Sequence, residues 1–116
     1  MRIQRTMVAC RLTTDHLVVH VVPRHLRSEV EVKRMFEEID EVVDSHKVGL
    51  VVVNCSRLVA ATSSFFGKLM HLNEKCKQDK RELRICSIPE VLREGFKVLK
   101  LHKVLSLYDT EEKALK

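Results

Sequence analysis

The stretch Asn54-Cys-Ser-Arg-Leu-Val-Ala-Ala-Thr-Ser-Ser-Phe-Phe-Gly-Lys-Leu69 carries the most informative chemistry in the chain. It leaves an apolar run of strand length, crosses a short loop and enters a helical pattern at three consecutive hydroxyls, Thr62, Ser63 and Ser64. A helix start has free N–H groups and the positive end of the dipole, so a reversible phosphate on one of these hydroxyls would be well placed. The competing reading is plain structure, with Thr62 or Ser63 acting as an N-cap that accepts a backbone N–H bond. Spacing alone leaves both open.

Other chemistries are poorly written. The three glycines, Gly49, Gly67 and Gly95, are far apart, which excludes a phosphate-cradling loop of the dinucleotide or P-loop kind. No nucleophile elbow or metalloprotease helix occurs, and no set of acid, base and nucleophile stands out, so a non-enzymatic role is expected. Cys10, Cys55, Cys76 and Cys86 form no C-x-x-C pair and read as reduced, buried thiols. His16 and His20 share a strand face at a spacing poor for two metal ligands, and His71 reads as a surface residue on a helix. Neither a metal nor a cofactor is expected.

The elements that must position the hydroxyls follow from periodicity. Strands at about 7–12 and 16–22 flank the turn Thr13-Thr14-Asp15 and make a hairpin, which Pro23 ends. Val32, Met35, Phe36, Ile39, Val42 and Val43 recur at helical spacing after Ser28 and Glu31, a capping box. Val48-Gly-Leu-Val-Val-Val53 lacks alternation, as a central strand covered on both faces does. A helix over about 62–78 follows, then a strand over 82–88 and a helix opened by Pro89. Ile88, Val91, Leu92, Gly95, Phe96 and Leu99 form its apolar stripe. A short strand at 104–107 and a terminal helix at 110–115, with Glu111 and Glu112 in its first turn, complete the chain. This order demands an α/β fold in which an antiparallel hairpin joins parallel βαβ crossovers, a mixed sheet of four to five strands with about four helices.

The pattern resembles the STAS domain of bacterial anti-sigma factor antagonists, in which a strand ending in Asp leads to a helix beginning Asp-Ser-Ser-Gly-Leu. Ile88-Pro-Glu-Val-Leu-Arg-Glu-Gly-Phe-Lys-Val98 is similar to a later helix of that family, Leu101 to Tyr108 to its closing strand, and Asp109-Thr-Glu-Glu-Lys-Ala-Leu115 to its terminal helix. The likeness spans about 7–115, so residues 1–116 are expected to form a single STAS domain. There are departures: Asn54 and Thr62 stand where Asp is usual, and Phe65 stands where Gly is usual.

The resemblance implies a regulatory module that binds an anti-sigma factor, a histidine-kinase-like serine kinase, and so regulates transcription. Ser63 matches the serine phosphorylated in that family, with Ser64 and Thr62 as neighbouring candidates. Partner-binding residues would be Asn54, Ser56 and Arg57 before the helix and Thr62, Ser63, Ser64, Phe65 and Lys68 at its start. A phosphorylation-independent scaffold or a nucleotide-sensing module is the alternative, and a weak homodimer stays open.

Composition sets the outer bounds. The 116 residues, 45% hydrophobic and 32% charged, exclude disorder by low hydrophobicity and leave room for one domain burying roughly two-thirds of its unfolded surface. The basic N-terminus lacks a following apolar region and no hydrophobic run spans a bilayer, so a cytoplasmic protein without a membrane partner is expected. The net charge of +5 and the basic surplus at Lys68, Lys75, Lys77, Lys80, Arg81 and Arg84 raise a nucleic-acid module as a further alternative. Few aromatics are present to stack bases, so nucleic acid is not the expected partner. An acidic protein surface suits the charge better.

Overall fold

The computed structural model describes residues 1–116 and places a mixed six-stranded sheet at the centre of the chain. Its first strand, β1 (Arg2–Gln4), pairs antiparallel with β2 (Val8–Leu12), which forms the hairpin with β3 (His16–Val21). The hairpin turn is held by the Thr13 hydroxyl, which accepts from the backbone N–H groups of Asp15 at 3.2 Å and His16 at 3.1 Å. A two-residue strand, β4 (His25–Leu26), precedes α1 (Glu29–Ser45). The capping box works with one change of partner. Ser28 Oγ accepts from the Glu31 N–H at 3.2 Å, while the Glu31 carboxylate accepts from the N–H of Arg27 at 2.9 Å.

The chain then enters β5 (Leu50–Asn54), parallel to β3 on one side and to β7 (Glu82–Cys86) on the other. Between them come the short β6 (Ala60–Ala61), paired with β4, and α2 (Ser63–Gln78). After β7 follow α3 (Glu90–Val98), a 3-10 turn over Leu101–Lys103, β8 (Ser106–Tyr108) and α4 (Glu111–Ala114). The sheet order is β1-β2-β3-β5-β7-β8, with β4 and β6 as a separate two-stranded patch.

The continuous apolar run of β5 has its predicted reason. Val51 and Val53 point into the main core, and Val52 points into a smaller cluster on the opposite face with Val18, Cys86 and Ala114. Each valine is fully buried, contributing about 1.5–3 kcal/mol of apolar burial. The main core lies under α1, α2 and α3, and α4 alone supplies helix cover to the other face. Four phenylalanines run through that main core in contact: Phe36 to Phe65 at 6.0 Å between ring centroids, Phe65 to Phe66 at 5.5 Å, and Phe66 to Phe96 at 5.1 Å.

Three details differ from the sequence reading. The sheet has six strands, not four to five, because Arg2–Gln4 adds a third antiparallel strand, clamped where the Met1 amine donates to the Leu12 carbonyl at 2.9 Å and the Leu12 N–H to the Met1 carbonyl at 2.7 Å. The closing strand begins at Ser106 and not at 104, because Lys100 turns left-handed (φ 56°) and residues 101–103 coil into the 3-10 turn. On α3 only Leu92 and Phe96 are buried; Val91 and Leu99, assigned to its apolar stripe, are exposed.

Candidate functional site: the start of the second helix

The site is built where β5 ends. Asn54, the last residue of that strand, is 7% exposed and uses its whole amide internally: Oδ1 accepts from the N–H of Ser56 at 2.9 Å, and Nδ2 donates to Oε1 of Glu111 at 3.0 Å. The loop is then pinned from both sides. The Cys55 N–H donates to the Cys86 carbonyl at 3.1 Å, and the Val59 and Ala60 N–H groups share the Arg24 carbonyl at 2.6 and 3.2 Å. The Thr62 N–H donates to the Leu26 carbonyl at 3.0 Å, so the β4–β6 patch fixes the point from which α2 departs.

At that start the three hydroxyls separate. Thr62 is the N-cap residue, with extended backbone (φ −77°, ψ 165°), but its hydroxyl makes no cap bond and instead pairs with the Ser64 hydroxyl at 2.8 Å. Both are half-buried. Ser63, the first helical residue, is exposed, and its hydroxyl has no hydrogen-bond partner within the chain. The N-cap reading is therefore half right, in position but not in bonding. α2 is also the one helix of the four without an acidic residue in its first turn; α1 has Glu29 and Glu31, α3 has Glu90, and α4 has Glu111 and Glu112. Its positive end is thus not neutralised from within.

The expected partner-binding residues divide by burial. Ser56, Arg57 and Ser63 are exposed and Thr62, Ser64 and Lys68 are half-buried, Lys68 lying further along α2 in a depression shared with Asp40, His71 and Lys75. Two do not reach the surface. Phe65 is fully buried between Phe36 and Phe66, because its position faces the sheet, and Asn54 is spent on Ser56 and Glu111. Beside the exposed group lies a shallow groove of about 370 Å³ lined by Val22, Arg24, Ser56, Arg57 and Val59. Arg24 and Val59 had no sequence signal marking them for this place; only the pairing of β4 with β6 brings Arg24 to the loop.

Behind the site Glu111 collects three partners: the Arg11 guanidinium, Asn54, and the His20 Nε2 at 3.1 Å. Burial pushes the Glu111 carboxyl up, but the hydrogen bonds from Arg11 and Asn54 and the charges of Arg11 and His20 outweigh it, holding the carboxyl below its ordinary range. The thiols move the other way. Burial drives Cys10 to about 11 and Cys55 to about 12, leaving them protonated and poorly nucleophilic at neutral pH.

The basic surplus on residues 68–84 does not form one face. Arg81 is buried, Lys75 pairs with Asp44 at 2.8 Å and Asp40 at 3.5 Å, and Arg84 pairs with Glu82 at 2.8 Å. No helix of the chain is long and apolar enough to cross a membrane.

A mixed sheet with three helices on one face, one on the other and an exposed serine opening the helix after the central parallel strand defines a class of small α/β domain. The sequence profile of the STAS domain matches residues 27–114, and the chain belongs to that family. Its fold is similar to that of an anti-sigma-factor antagonist (STAS) domain protein from Planctomyces limnophilus, with 20% identity, 93% of each chain covered and a TM-score of 0.79. It is similar also to the anti-sigma factor antagonist SpoIIAA in its unphosphorylated form (17% identity, 93% of this chain and 92% of that one, TM-score 0.75). The phosphorylated form of SpoIIAA, a Bacillus cell fate determinant, matches at 17% identity over 93% of this chain and 96% of that one, with a TM-score of 0.68. At these identities the likeness is one of fold. No curated protein matches the sequence.

Proposed function

We propose that residues 1–116 act as a single STAS module of the anti-sigma factor antagonist kind, docking an anti-sigma factor kinase through the start of α2 and released by phosphorylation of Ser63. The observation that carries this reading is the separation of the three hydroxyls. Thr62 and Ser64 occupy each other, while Ser63 stands exposed and unbonded on an acid-free helix start. That SpoIIAA, a protein of like fold, has a phosphorylated form supports the chemistry.

The switch is electrostatic. Unmodified, the exposed Ser63 hydroxyl is a small neutral contact at the positive end of a helix whose first turn holds no acid, which favours an acidic partner surface. A phosphate adds about −1.5 to −2 charge, satisfies the free N–H groups of the first turn, and repels that same surface. No catalytic group is needed in this chain, because the kinase supplies the phosphoryl transfer.

The test is to incubate the protein with ATP and a candidate anti-sigma kinase from the same genome, then locate the phosphate by mass spectrometry. Phosphate on Ser63, with loss of the complex, is the expected result. Neither complex nor phosphate at residues 62–64 with any such kinase overturns the proposal.

A further inference from the structure

A cleft of about 320 Å³ opens between α3 and the end of β8, lined by Ile88, Phe96 and Leu107 on its apolar side, by Arg93, Lys97 and His102, and by Tyr108 and Asp109. It shares no residue with the helix-start site. Ile88 follows the carboxyl end of β7, and Tyr108 and Asp109 stand at the carboxyl end of β8, where open α/β sheets bind ligands. The volume falls within the range of small-molecule pockets.

Its charge is unbalanced. Neither Arg93 nor Lys97 nor His102 has a carboxylate partner; the one bond among them runs from Arg93 Nε to the Ile88 carbonyl at 3.3 Å, which leaves the other guanidinium nitrogens free. The single acid of the lining, Asp109, lies 3.8 Å from Lys113. The Tyr108 ring is taken by Arg84, 5.4 Å from its centroid, so the cleft's apolar contact comes from Ile88, Phe96 and Leu107. Unpaired cations beside an apolar wall recognise one kind of small molecule, an anion attached to a hydrocarbon or aryl body.

We propose that this cleft binds a small amphiphilic carboxylate, its body against Phe96, Ile88 and Leu107 and its head on Arg93 and Lys97. At about 320 Å³ the cleft lies at the small end of ligand pockets, which suits a body and head of about ten non-hydrogen atoms. Octanoate has that size and serves as the probe, and octanol, its neutral counterpart, serves as the control.

Titration of the full chain with each, followed by amide chemical shifts, tests the site. Octanoate is expected to shift residues 88–109 saturably, octanol to bind about tenfold more weakly, and the Arg93→Gln/Lys97→Gln double variant to lose that tenfold preference while retaining octanol binding. Both substitutions are at exposed positions, so the fold is kept. Equal binding of octanoate and octanol, shifts that map elsewhere, or no saturable shift at millimolar probe overturns the proposal. None of these outcomes bears on Ser63, so the two proposals fail separately.

Discussion

Asn54 Nδ2 donates to Glu111 Oε1 across 3.0 Å, joining the end of the central strand to the first turn of the last helix. The amide matters here because its Oδ1 also accepts from the Ser56 N–H, so a single side chain sets both the loop leaving β5 and the seat of α4. The Asp usual in the family at this place would bring a second carboxylate against Glu111, which here must already be stabilised by Arg11 and His20. Asn54→Asp is therefore expected to lower stability at pH 7 by about 1–3 kcal/mol. The loss should shrink at pH 5, as the pair takes up a proton, whereas Asn54→Ala should cost the same at both. Urea denaturation of the two variants at each pH measures the difference.

Glu111 also sets the acid limit. Its folded carboxyl lies below the ordinary value of 4.5, so it favours the native state above the unfolded value, and that contribution is lost as pH falls through the folded one. Glu82 has the same sign, held low by its hydrogen bond from Arg84 against the opposing effect of burial. Stability should fall steeply on acidification below about pH 4.5. Glu111→Gln, which keeps the shape, should give a shallower acid limb in the midpoint-versus-pH profile; an unchanged slope contradicts the assignment.

Arg81 closes the end of α1 from within. Its Nε donates to the Val48 carbonyl at 2.7 Å, Nη1 to Val43 at 3.0 Å and Nη2 to His46 at 2.9 Å, while α1 itself carries no basic residue in its last turn. Arg81→Ala leaves three carbonyls without this donor and should cost about 2–4 kcal/mol in urea denaturation. Lysine, a point charge without the planar fork, should recover only part of it.

Gly95 lies against the ring of Phe66: a Cβ there would stand 2.6 Å from Cζ and 3.0 Å from Cε2. Gly to Ala inside a helix ordinarily gains about 0.5–1 kcal/mol, but that ring is wedged between Phe65 and Phe96 and has no room to retreat. Gly95→Ala should therefore destabilise by about 1–2 kcal/mol. Combining it with Phe66→Leu should cost less than the sum of the two single losses, a coupling that a double-mutant cycle of denaturation midpoints reads directly.

Much of this architecture was legible because periodicity reports burial. The capping box at Ser28, the covered central strand and the four helices all follow from side-chain type at fixed spacing. Periodicity failed where elements are shorter than its period or where tertiary contacts decide. Arg2–Gln4 is too brief to show alternation, and the left-handed Lys100, on which the start of the last strand depends, has no glycine to announce it. Val91 and Leu99 satisfy a helical stripe in sequence yet lie outside the narrow face that meets Phe66 and the sheet. In the helix-start site spacing named three hydroxyls without ranking them, and only the family resemblance singled out Ser63. Which of them is free depends on the 2.8 Å pairing of Thr62 with Ser64, a contact that spacing does not encode. Asn54 and Phe65 were assigned to the surface by analogy, and α4 and the phenylalanine cluster claim them.

That pairing separates stability from signalling at Ser63. A glutamate at the first helical position faces the positive dipole end and two free N–H groups, in a turn without any acid of its own. Ser63→Glu should raise the denaturation midpoint slightly, by about 0.3–1 kcal/mol, and yet weaken binding to the cognate kinase at least tenfold through charge alone. Ser63→Ala should leave stability nearly unchanged, bind the kinase, and take no phosphate. Ser64→Ala, which removes half of the hydroxyl pair, should still be phosphorylated at Ser63, with a stability loss of about 1 kcal/mol. Calorimetric titration and denaturation of the same three variants distinguish the alternatives. If Ser64→Ala and not Ser63→Ala abolishes the phosphate, the modified hydroxyl is that of Ser64 and the exposed serine plays no part in the switch.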